Sequence, residues 1–554
     1  MTAPARPAPG TPHTPADGDS PTLALRIPGD RLRRTRPSPI PGAPSAAPGP
    51  DGRRRIRVAT AVLAAVLVVQ TLLTLRRPPA VSPAEALTMT TGHIALSGGA
   101  HGWGVPALAG TARSYPVLAA LADALGGIDA AATTSLVLTL VTTVLLYGLA
   151  RRMFDVRVGL CAAALFAVAP STAALGGSAT PEAAGLCLLA VVARLLAGAE
   201  RAVRWAVVCA VPAVGAAGLT QYWTVLCLPG VLLLAAARGG RGRRPAWPAV
   251  VVAVVAPVAG VVAAVIRHGV RLSDGPVFLT AGDRGASFPV TGLATGLLEV
   301  VAAAGAMCLL SHTHGSVYSP AAVSRRRSGR GGSRRSRSGR GRSGRGRSGR
   351  GRRALWIVAL CGAALAPLAA ARIHGTGGYG LAPVAALTWF TAPLAGIGAD
   401  RLLGRHFRFP HAGIALWTAV ICLGTPSVDG WFARYPDTAA LSSTIAPYGG
   451  ATGTYLGVPA AVPAYALRAT TPLERWTDCG GPFDGELDRA VDAAGCAQAV
   501  RAGEFNLIVL DRSLGTAVQA AVRAAMRGNP HYRLLAELPS GKSEYTIWIK
   551  TAQQ

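Results

Sequence analysis

The chain has 554 residues, of which 51% are hydrophobic, and it carries a formal net charge of +29. Its mean hydropathy is +0.37, so it holds far more apolar sequence than the core of a soluble domain needs, which excludes an ordinary soluble protein. Most of the arginines flank apolar blocks or lie in one segment, so the charge indicates membrane topology and not a general nucleic-acid-binding surface.

The N-terminal part of the chain predicts a disordered tail followed by a membrane anchor. Residues 1–56 are rich in Pro, Ala, Gly and Ser, and such a composition cannot bury enough apolar surface to offset chain entropy. The first apolar block, 58–75, starts too far along the chain for an ordinary signal peptide and follows an arginine cluster at 53–57. We therefore expect an uncleaved anchor with a cytoplasmic N-terminus.

Further apolar blocks predict about eleven transmembrane helices within residues 57–430. Each block is about long enough to cross ~30 Å of hydrocarbon as a helix. Alternation from a cytoplasmic N-terminus places the arginine-rich loops inside, as the positive-inside rule requires. The two blocks 203–218 and 220–237 can also be interpreted together as one re-entrant unit. The blocks after the first are 133–150, 157–175, 182–198, 203–218, 220–237, 247–266, 289–311, 354–372, 379–397 and 411–427.

An arginine-rich segment, 313–353, interrupts the apolar blocks. Its run SRRRSGRGGSRRSRSGRGRSGRGRSGRGRR contains fourteen arginines and no apolar residue. This composition predicts a disordered cytoplasmic loop that enforces topology and contacts anionic headgroups. Nucleic-acid binding is the alternative, and the absence of aromatic residues for base stacking disfavours it.

After about residue 430 the hydropathy falls and the pattern changes to that of a small α/β domain. The run Phe505–Asp511 predicts a buried strand, 514–527 has helical periodicity, and 532–538 and 545–550 alternate as strands do. The predicted topology places this domain, residues 431–554, on the extracytoplasmic side of the membrane.

Two of the nine cysteines stand apart from the others. Seven lie within apolar blocks, where small buried packing residues are expected. Cys479 and Cys496 lie in the domain assigned to an oxidising compartment, so we predict a disulfide between them, worth roughly 3 kcal/mol. Two free thiols are the alternative.

Acidic residues at the outer ends of helices are the first candidates for chemistry, because charges are costly inside a bilayer and tolerable at its rim. Glu85 lies just after the first helix, and Glu182 lies where the fourth helix begins. Two carboxylates on adjacent outer loops could act as general base and orienting partner for an acceptor hydroxyl. Glu85 could instead be a solvated loop residue. Glu182 could have no role beyond its favourable interaction with the positive N-terminal end of its helix.

Basic residues on the same predicted face could bind a phosphate by charge-assisted hydrogen bonds. Interfacial anchoring is the alternative for each of them. The sequence contains no Walker lysine, no glycine-rich nucleotide loop between a strand and a helix, and no His/Cys cluster at zinc spacing. No cofactor is therefore predicted, and the need for a divalent metal stays open. The candidates for the phosphate are Arg113, Arg284, Arg372 and His374, with Arg267 and Arg271 nearby in sequence.

One stretch of sequence resembles a known family. The segment RSYPVLAALADALGGIDAAATTSLVLTLVTTVLLYGLARRMFDVRVGLCAAALFAVAPSTAALGGSATPEAAGLCLLA resembles the N-terminal half of lipid-linked-sugar glycosyltransferases of the GT-C fold, family 39-like, of the dolichyl- or polyprenyl-phosphate-mannose type. The resemblance covers residues 57–430 in architecture and about 80–200 in motif, and the C-terminal domain looks like the tail of actinobacterial members.

The resemblance implies an enzyme of the bacterial plasma membrane. Such enzymes transfer a sugar from a polyprenyl-phosphate donor to an envelope acceptor, glycan or protein, on the outer face, with inversion at the anomeric carbon. An acidic residue of the first outer loop acts as base. The family's Asp-Glu pair corresponds here to Ala84-Glu85, and its second acidic residue corresponds to Glu182 in ATPEA.

Other family positions also depart from the pattern. Ala132 stands where an arginine is usual, Gln221 stands where a lysine precedes Tyr222, and Arg372 with His374 fits the segment of a later Lys-His pair. These changes remove charged residues from the expected site, whereas the order of helices and loops still resembles the family. The first prediction is an inverting glycosyltransferase with Glu85 as base and Glu182 assisting. The alternative is a degenerate homologue that binds lipid-linked sugar or acts in envelope assembly, while the lack of internal repeats disfavours a transporter.

Overall fold

The computed structural model describes a subset of the chain. The described residues are 50–77, 81–97, 114–198, 210, 212–214, 223–238, 293–311, 356–365, 368, 381–403, 410–433, 438–477, 479, 493–512, 517–540 and 543–551. The chain divides into a short unit, Met1–Arg54, and a long one, Arg55–Gln554. All contacts discussed below lie in the long unit. The N-terminal tail and the arginine-rich segment 313–353 lie outside the described residues, apart from the first turn of α1.

Long apolar helices make up the described part of the chain as far as residue 432. They are α1 (Pro50–Thr74), α2 (Pro83–Leu96), α3 (Ser114–Met153), α4 (Val156–Ala167), α5 (Pro170–Gly177), α6 (Glu182–Gly198), α7 (Trp223–Arg238), α8 (Leu293–Ser311), α9 (Trp356–Leu365), α10 (Leu381–Leu403) and α11 (Pro410–Phe432).

Several of these helices can cross a membrane, so the chain is a multi-pass membrane protein. Within the described ranges, α1, α3, α10 and α11 are each long and apolar enough, and α4 with α5, which meet at a bend of 62°, form a fifth candidate. Helix α6 coincides with the predicted block 182–198. The total of eleven spans stays a prediction, because block 247–266 and most of block 203–218 lie outside the described residues.

Helix α10 forms the centre of the membrane bundle. Every residue of α10 from Leu381 to Ala399 is buried, whereas only Val420, Gly424, Trp431 and Phe432 are buried in α11. Helix α10 packs against α4, α5 and α8. The largest fully buried side chains of the bundle include Phe166 of α4 and Trp389 and Phe390 of α10. Most of the remaining core consists of Ala, Val and Leu.

Two helical segments lie between the first two predicted apolar blocks, 58–75 and 133–150. One is α2, and the other is the first part of α3, residues 114–125, which ends at a kink. At this kink Gly126 and Gly127 leave helical geometry, and Gly127 adopts a positive φ of 71°, a conformation that glycine tolerates without steric cost. We call α2 together with residues 114–125 the juxtamembrane layer.

The C-terminal part of the chain, which we call the C-terminal domain, contains a mixed sheet. Its elements are α12 (Thr438–Ile445), β1 (Tyr455–Val458), α13 (Ala461–Ala466), β2 (Trp476–Thr477), α14 (Ala493–Ala502), β3 (Leu507–Asp511), α15 (Ala517–Met526), β4 (Tyr532–Ser540) and β5 (Ser543–Lys550). The strand order is β2-β1-β3-β5-β4. Strands β2, β1 and β3 are parallel, and β5 runs antiparallel to β3 and β4.

The strands and the helix predicted after residue 500 are confirmed as β3, α15, β4 and β5. Strands β1 and β2 were not predicted, because they are short and their apolar residues show no alternation. Both faces of β3 are buried. Leu507 and Val509 share a core with Met89 and Ile94 of α2, whereas Ile508 and Leu510 pack with residues of α14 and α15. Helix α13 packs directly on α2, so the C-terminal domain contacts the juxtamembrane layer.

Candidate active site at the juxtamembrane layer

Glu85 closes the N-terminus of α2 through a capping box. Its Oε2 accepts a hydrogen bond from the backbone N–H of Ser82 at 2.8 Å, and its own N–H donates to Ser82 Oγ at 3.1 Å. This reciprocal arrangement satisfies two backbone donors that a helix start leaves open. The sequence S-P-A-E carries the capping-box signal, so the start of α2 could have been found from the sequence.

The other carboxylate oxygen of Glu85 ties three parts of the chain together. Oε1 lies 2.8 Å from Arg77 Nη1 and also accepts a hydrogen bond of 2.8 Å from the N–H of Ala179, in the connection between α5 and α6. Arg77 donates in addition to the Gly177 carbonyl and lies over the ring of Phe432, 5.9 Å from its centroid. The Glu85 side chain is 1% exposed and that of Arg77 is 8% exposed.

Glu182 lies three residues beyond this tie, at the first position of α6. It is half-buried, in contrast to the enclosed Glu85. The hydroxyl of Tyr115 is within electrostatic reach of both carboxylates, and it bonds Ser135 Oγ at 2.6 Å across the kink of α3. Glu85 thus bonds to the chain three residues before Glu182, and the convergence of the two carboxylates stays a prediction. Arg77 and Tyr115 are neighbours that the sequence did not single out.

The geometry distributes the chemical roles differently from the sequence prediction. A general base needs an oxygen that a substrate hydroxyl can reach. Three donors approach the oxygens of Glu85, and almost none of its side chain is exposed, so it is placed to hold neighbouring groups in position. Glu182 is the more exposed residue of the two. Both carboxylates also lie at helix N-termini, where the backbone dipole favours negative charge.

The remaining predicted site residues divide into two groups. The four candidates for the phosphate, Arg113, Arg284, Arg372 and His374, lie outside the described residues. Cys479 and Cys496 form a disulfide with a Cα–Cα distance of 5.8 Å and a sequence separation of 17. Both cysteines are fully buried in the core on the α14 side of the sheet, away from the carboxylates.

A second buried carboxylate, Asp123, was missed. It lies in the juxtamembrane part of α3 and contacts His93 of α2 and two residues of the C-terminal domain, Tyr465 and Arg468. Burial, followed by the hydrogen bond to Asp123, raises the pKa of Tyr465 far above its ordinary value, so the phenol stays a proton donor. No pattern marks this cluster in the sequence, because Asp123 and Arg468 lie 345 residues apart.

No group of three or more His, Cys, Asp or Glu side chains arranged to hold a metal ion occurs in the part of the chain that the structure describes. The groups bonded to the Glu85 carboxylate are the Arg77 guanidinium and the backbone N–H groups of Ser82 and Ala179. These groups are donors, so they compete for the same carboxylate oxygens that a cation would need.

Comparison with known proteins places this site in a defined fold. The chain is similar to ArnT from Cupriavidus metallidurans in complex with undecaprenyl phosphate, with a TM-score of 0.52, 14% identity, and coverage of 89% of this chain and 97% of that one. The apo form of the same protein gives a TM-score of 0.51 at 13% identity, covering 90% and 98%. The chain therefore has the GT-C-type fold of ArnT.

The sequence comparison agrees with the structural one. A model of the dolichyl-phosphate-mannose-protein mannosyltransferase family matches residues 116–265, which span the kinked helix, the Ala179 connection and Glu182. A direct sequence comparison with curated proteins gives no significant match. The resemblance to GT-C glycosyltransferases that the motif predicted is confirmed by these comparisons.

Proposed function

We propose that this chain is a membrane glycosyltransferase that transfers a sugar from a polyprenyl-phosphate donor to an acceptor on the outer face of a bacterial plasma membrane. The observation that carries the proposal is the bonding of Glu85 to Arg77 and to the N–H of Ala179, three residues before Glu182, in a chain with an ArnT-type fold. The undecaprenyl phosphate bound by ArnT and the family model over residues 116–265 support the class of donor.

In the proposed reaction, an acceptor hydroxyl attacks the anomeric carbon of the donor sugar. The new C–O bond forms as the bond from that carbon to the phosphate oxygen breaks, and the polyprenyl phosphate leaves with the bonding electrons. The hydroxyl proton passes to a carboxylate. Attack from the face opposite the leaving group gives inversion. We assign the role of proton acceptor to Glu182, the more exposed of the two glutamates. Glu85 and Arg77 hold in place the connection between α5 and α6, which leads to Glu182.

The orientation follows from the charge distribution. Arginine-rich loops between apolar blocks stay on the cytoplasmic side, which places the N-terminus inside and the juxtamembrane layer and C-terminal domain outside. The disulfide between Cys479 and Cys496 agrees with an oxidising compartment. Arg113, Arg284, Arg372 and His374 remain the candidates for holding the donor phosphate on that side.

The test is transfer from labelled polyprenyl-phosphate mannose or arabinose by membranes that contain the wild type, Glu182→Gln or Glu85→Gln. Loss of a general base lowers rates by about 10²–10⁴-fold, so Glu182→Gln should fall in that range. Glu504→Gln, which changes an exposed acidic residue of the C-terminal domain, is the matched control and should transfer like the wild type. Equal transfer by Glu182→Gln and wild type would refute the role of Glu182.

One observation favours a second function. The position of the family's base is Ala84, and its neighbour Glu85 is enclosed by donors. Both facts fit a homologue that binds lipid-linked sugar without transferring it. Saturable binding of the labelled donor by the wild type, with no transfer to any envelope fraction, would support this function over catalysis.

A further inference from the structure

The Asp123 cluster joins three elements that are far apart in sequence. Asp123 Oδ2 lies 2.8 Å from His93 Nε2, in the last turn of α2, and 3.1 Å from Arg468 Nε. Its Oδ1 accepts hydrogen bonds from the Tyr465 hydroxyl at 2.6 Å and from Arg468 Nη2 at 3.2 Å. An ionised carboxylate can only accept hydrogen bonds, and here both of its oxygens are occupied.

The Asp123 carboxylate is buried, and the arginine that binds it is held in place by other groups of the C-terminal domain. The Asp123 side chain is 1% exposed. The Arg468 guanidinium lies 4.0 Å from the centroid of the Tyr465 ring and also donates to the Tyr465 carbonyl at 3.1 Å. Because the guanidinium is fixed by the ring and the carbonyl, its two-pronged contact with Asp123 defines an orientation as well as an attraction.

Helix α2 links this cluster to the candidate active site. His93 lies near its C-terminal end and Glu85 lies in its first turn, eight residues or about 12 Å away along a rigid helix. The middle of α2 crosses the start of α3 in close contact, because a Cβ at Gly92 would overlap the Pro116 carbonyl. A displacement at His93 is therefore transmitted to Glu85 and, through it, to the N–H of Ala179.

We infer that Asp123 is a positioning residue: with Tyr465 and Arg468 it makes the C-terminal domain set the position of α2, and thereby the position of the acidic site at Glu85 and Ala179. Its effect on transfer rests on the proposed function, whereas its effect on the position of α2 does not. Helix α13, which carries Tyr465, packs directly on α2. The bonds of Asp123 and the packing of α13 therefore act on the same helix.

The test combines hydrogen–deuterium exchange with transfer kinetics on the full-length protein in detergent. Replacement by Asn leaves the charge of Arg468 without its partner. In Asp123→Asn we expect amide exchange about tenfold faster or more in α2, with a parallel rise at the Ala179 amide. Transfer should lose about 10²-fold in kcat, the scale expected for a ~1 Å misplacement of a reacting group, while KM for the donor changes less than about twofold.

Two further variants separate positioning from general destabilisation. Arg468→Lys keeps the charge but loses the two-pronged contact and the stacking on Tyr465, so it should recover only a small part of the loss seen in Arg468→Gln. Arg512→Gln is the matched control, since it breaks exposed ion pairs with Glu537 and Glu544 on another part of the C-terminal domain, and it should leave α2 exchange unchanged. If Asp123→Asn does not fold, Tyr465→Phe removes one hydrogen bond, keeps the ring, and should shift α2 exchange in the same direction by a few-fold.

The inference is overturned if a folded Asp123→Asn or Tyr465→Phe protein exchanges at wild-type rates in α2. Faster exchange in α2 with unchanged exchange at Ala179 would also overturn it, because the link to the acidic site would be absent. If the wild type transfers no sugar, the proposed function fails. The exchange rates in α2 and at Ala179 then still decide whether the Asp123 cluster positions α2.

Discussion

The membrane bundle and the juxtamembrane layer both contain apolar packing, but they differ in their most specific contacts. In the bundle, helices approach through small residues: a Cβ added at Gly305 would overlap the Leu394 carbonyl oxygen, and one added at Gly398 would overlap the Val301 carbonyl oxygen. At the juxtamembrane layer, the contacts instead centre on the buried carboxylates Glu85 and Asp123, each bonded by several donors.

This difference follows from the solvent that each region would otherwise face. Lipid tails are as apolar as the helices, so close shape matching drives helix association in a membrane. At the membrane surface water competes for every polar group, and a buried charge is stable only with a complete set of partners. Fully bonded carboxylates therefore specify one arrangement of the layer, where apolar contacts alone would allow several.

The largest effect should come from breaking the close packing of the bundle. Gly305→Ala places a methyl group against backbone of α10 that cannot rotate away, so we expect a loss of more than ~3 kcal/mol, the upper part of the range for overpacking. The measurement is the fraction of monodisperse protein after size exclusion across a heating series.

Its control lies on the same helix. Among the described residues, nothing lies within 4 Å of a Cβ built at Gly296. Gly296→Ala should therefore be as stable as the wild type or slightly more so, because alanine favours helix. Similar losses from the two substitutions would show that the close approach at Gly305 is not what holds the bundle.

The next largest effect should come from the tie at the juxtamembrane layer. Arg77→Ala leaves the enclosed carboxylate of Glu85 without its cation, and breaking a buried pair in this way costs about 3–5 kcal/mol. Arg512→Ala removes pairs whose side chains are 37–45% exposed, and surface pairs contribute about 0–1 kcal/mol. Thermal unfolding in detergent should separate the two variants, and equal midpoints would contradict the distinction drawn between the two kinds of pair.

A smaller effect should come from the disulfide. Cys479 and Cys496 close a loop with a sequence separation of 17, and a loop of this size is worth about 3 kcal/mol when crosslinked. The double variant to Ser should lower the stability of the C-terminal domain by up to this amount. Peptide mass spectrometry without reductant should recover the two cysteines as one crosslinked species in the wild type, and separate thiol peptides would refute the pairing.

The sequence was most informative where one type of residue dominates a segment. Apolar blocks located α1, α6, α10 and α11 because a lipid-facing helix must be apolar along its length. The continuous run Phe505–Asp511 located β3 because a strand buried on both faces needs no alternation. The motif around Glu182 was enough to identify the resemblance to GT-C enzymes.

The sequence was least informative about partners. It indicated that Glu85 and Glu182 could converge, but it assigned the role of base to Glu85, whose enclosure depends on Arg77 and on the distant N–H of Ala179. It gave no sign of Asp123, because His93, Tyr465 and Arg468 become its neighbours only when α13 packs on α2.

The sequence by itself determined that the chain spans a membrane repeatedly, that a small α/β domain follows, and that two acidic residues lie near helix starts. These properties depend on local composition and on spacing along the chain. Tertiary structure alone decided which glutamate is enclosed and which is more exposed, and it created the Asp123 cluster. Burial and ion pairing depend on residues brought together from distant segments, so neither can be read from the local pattern.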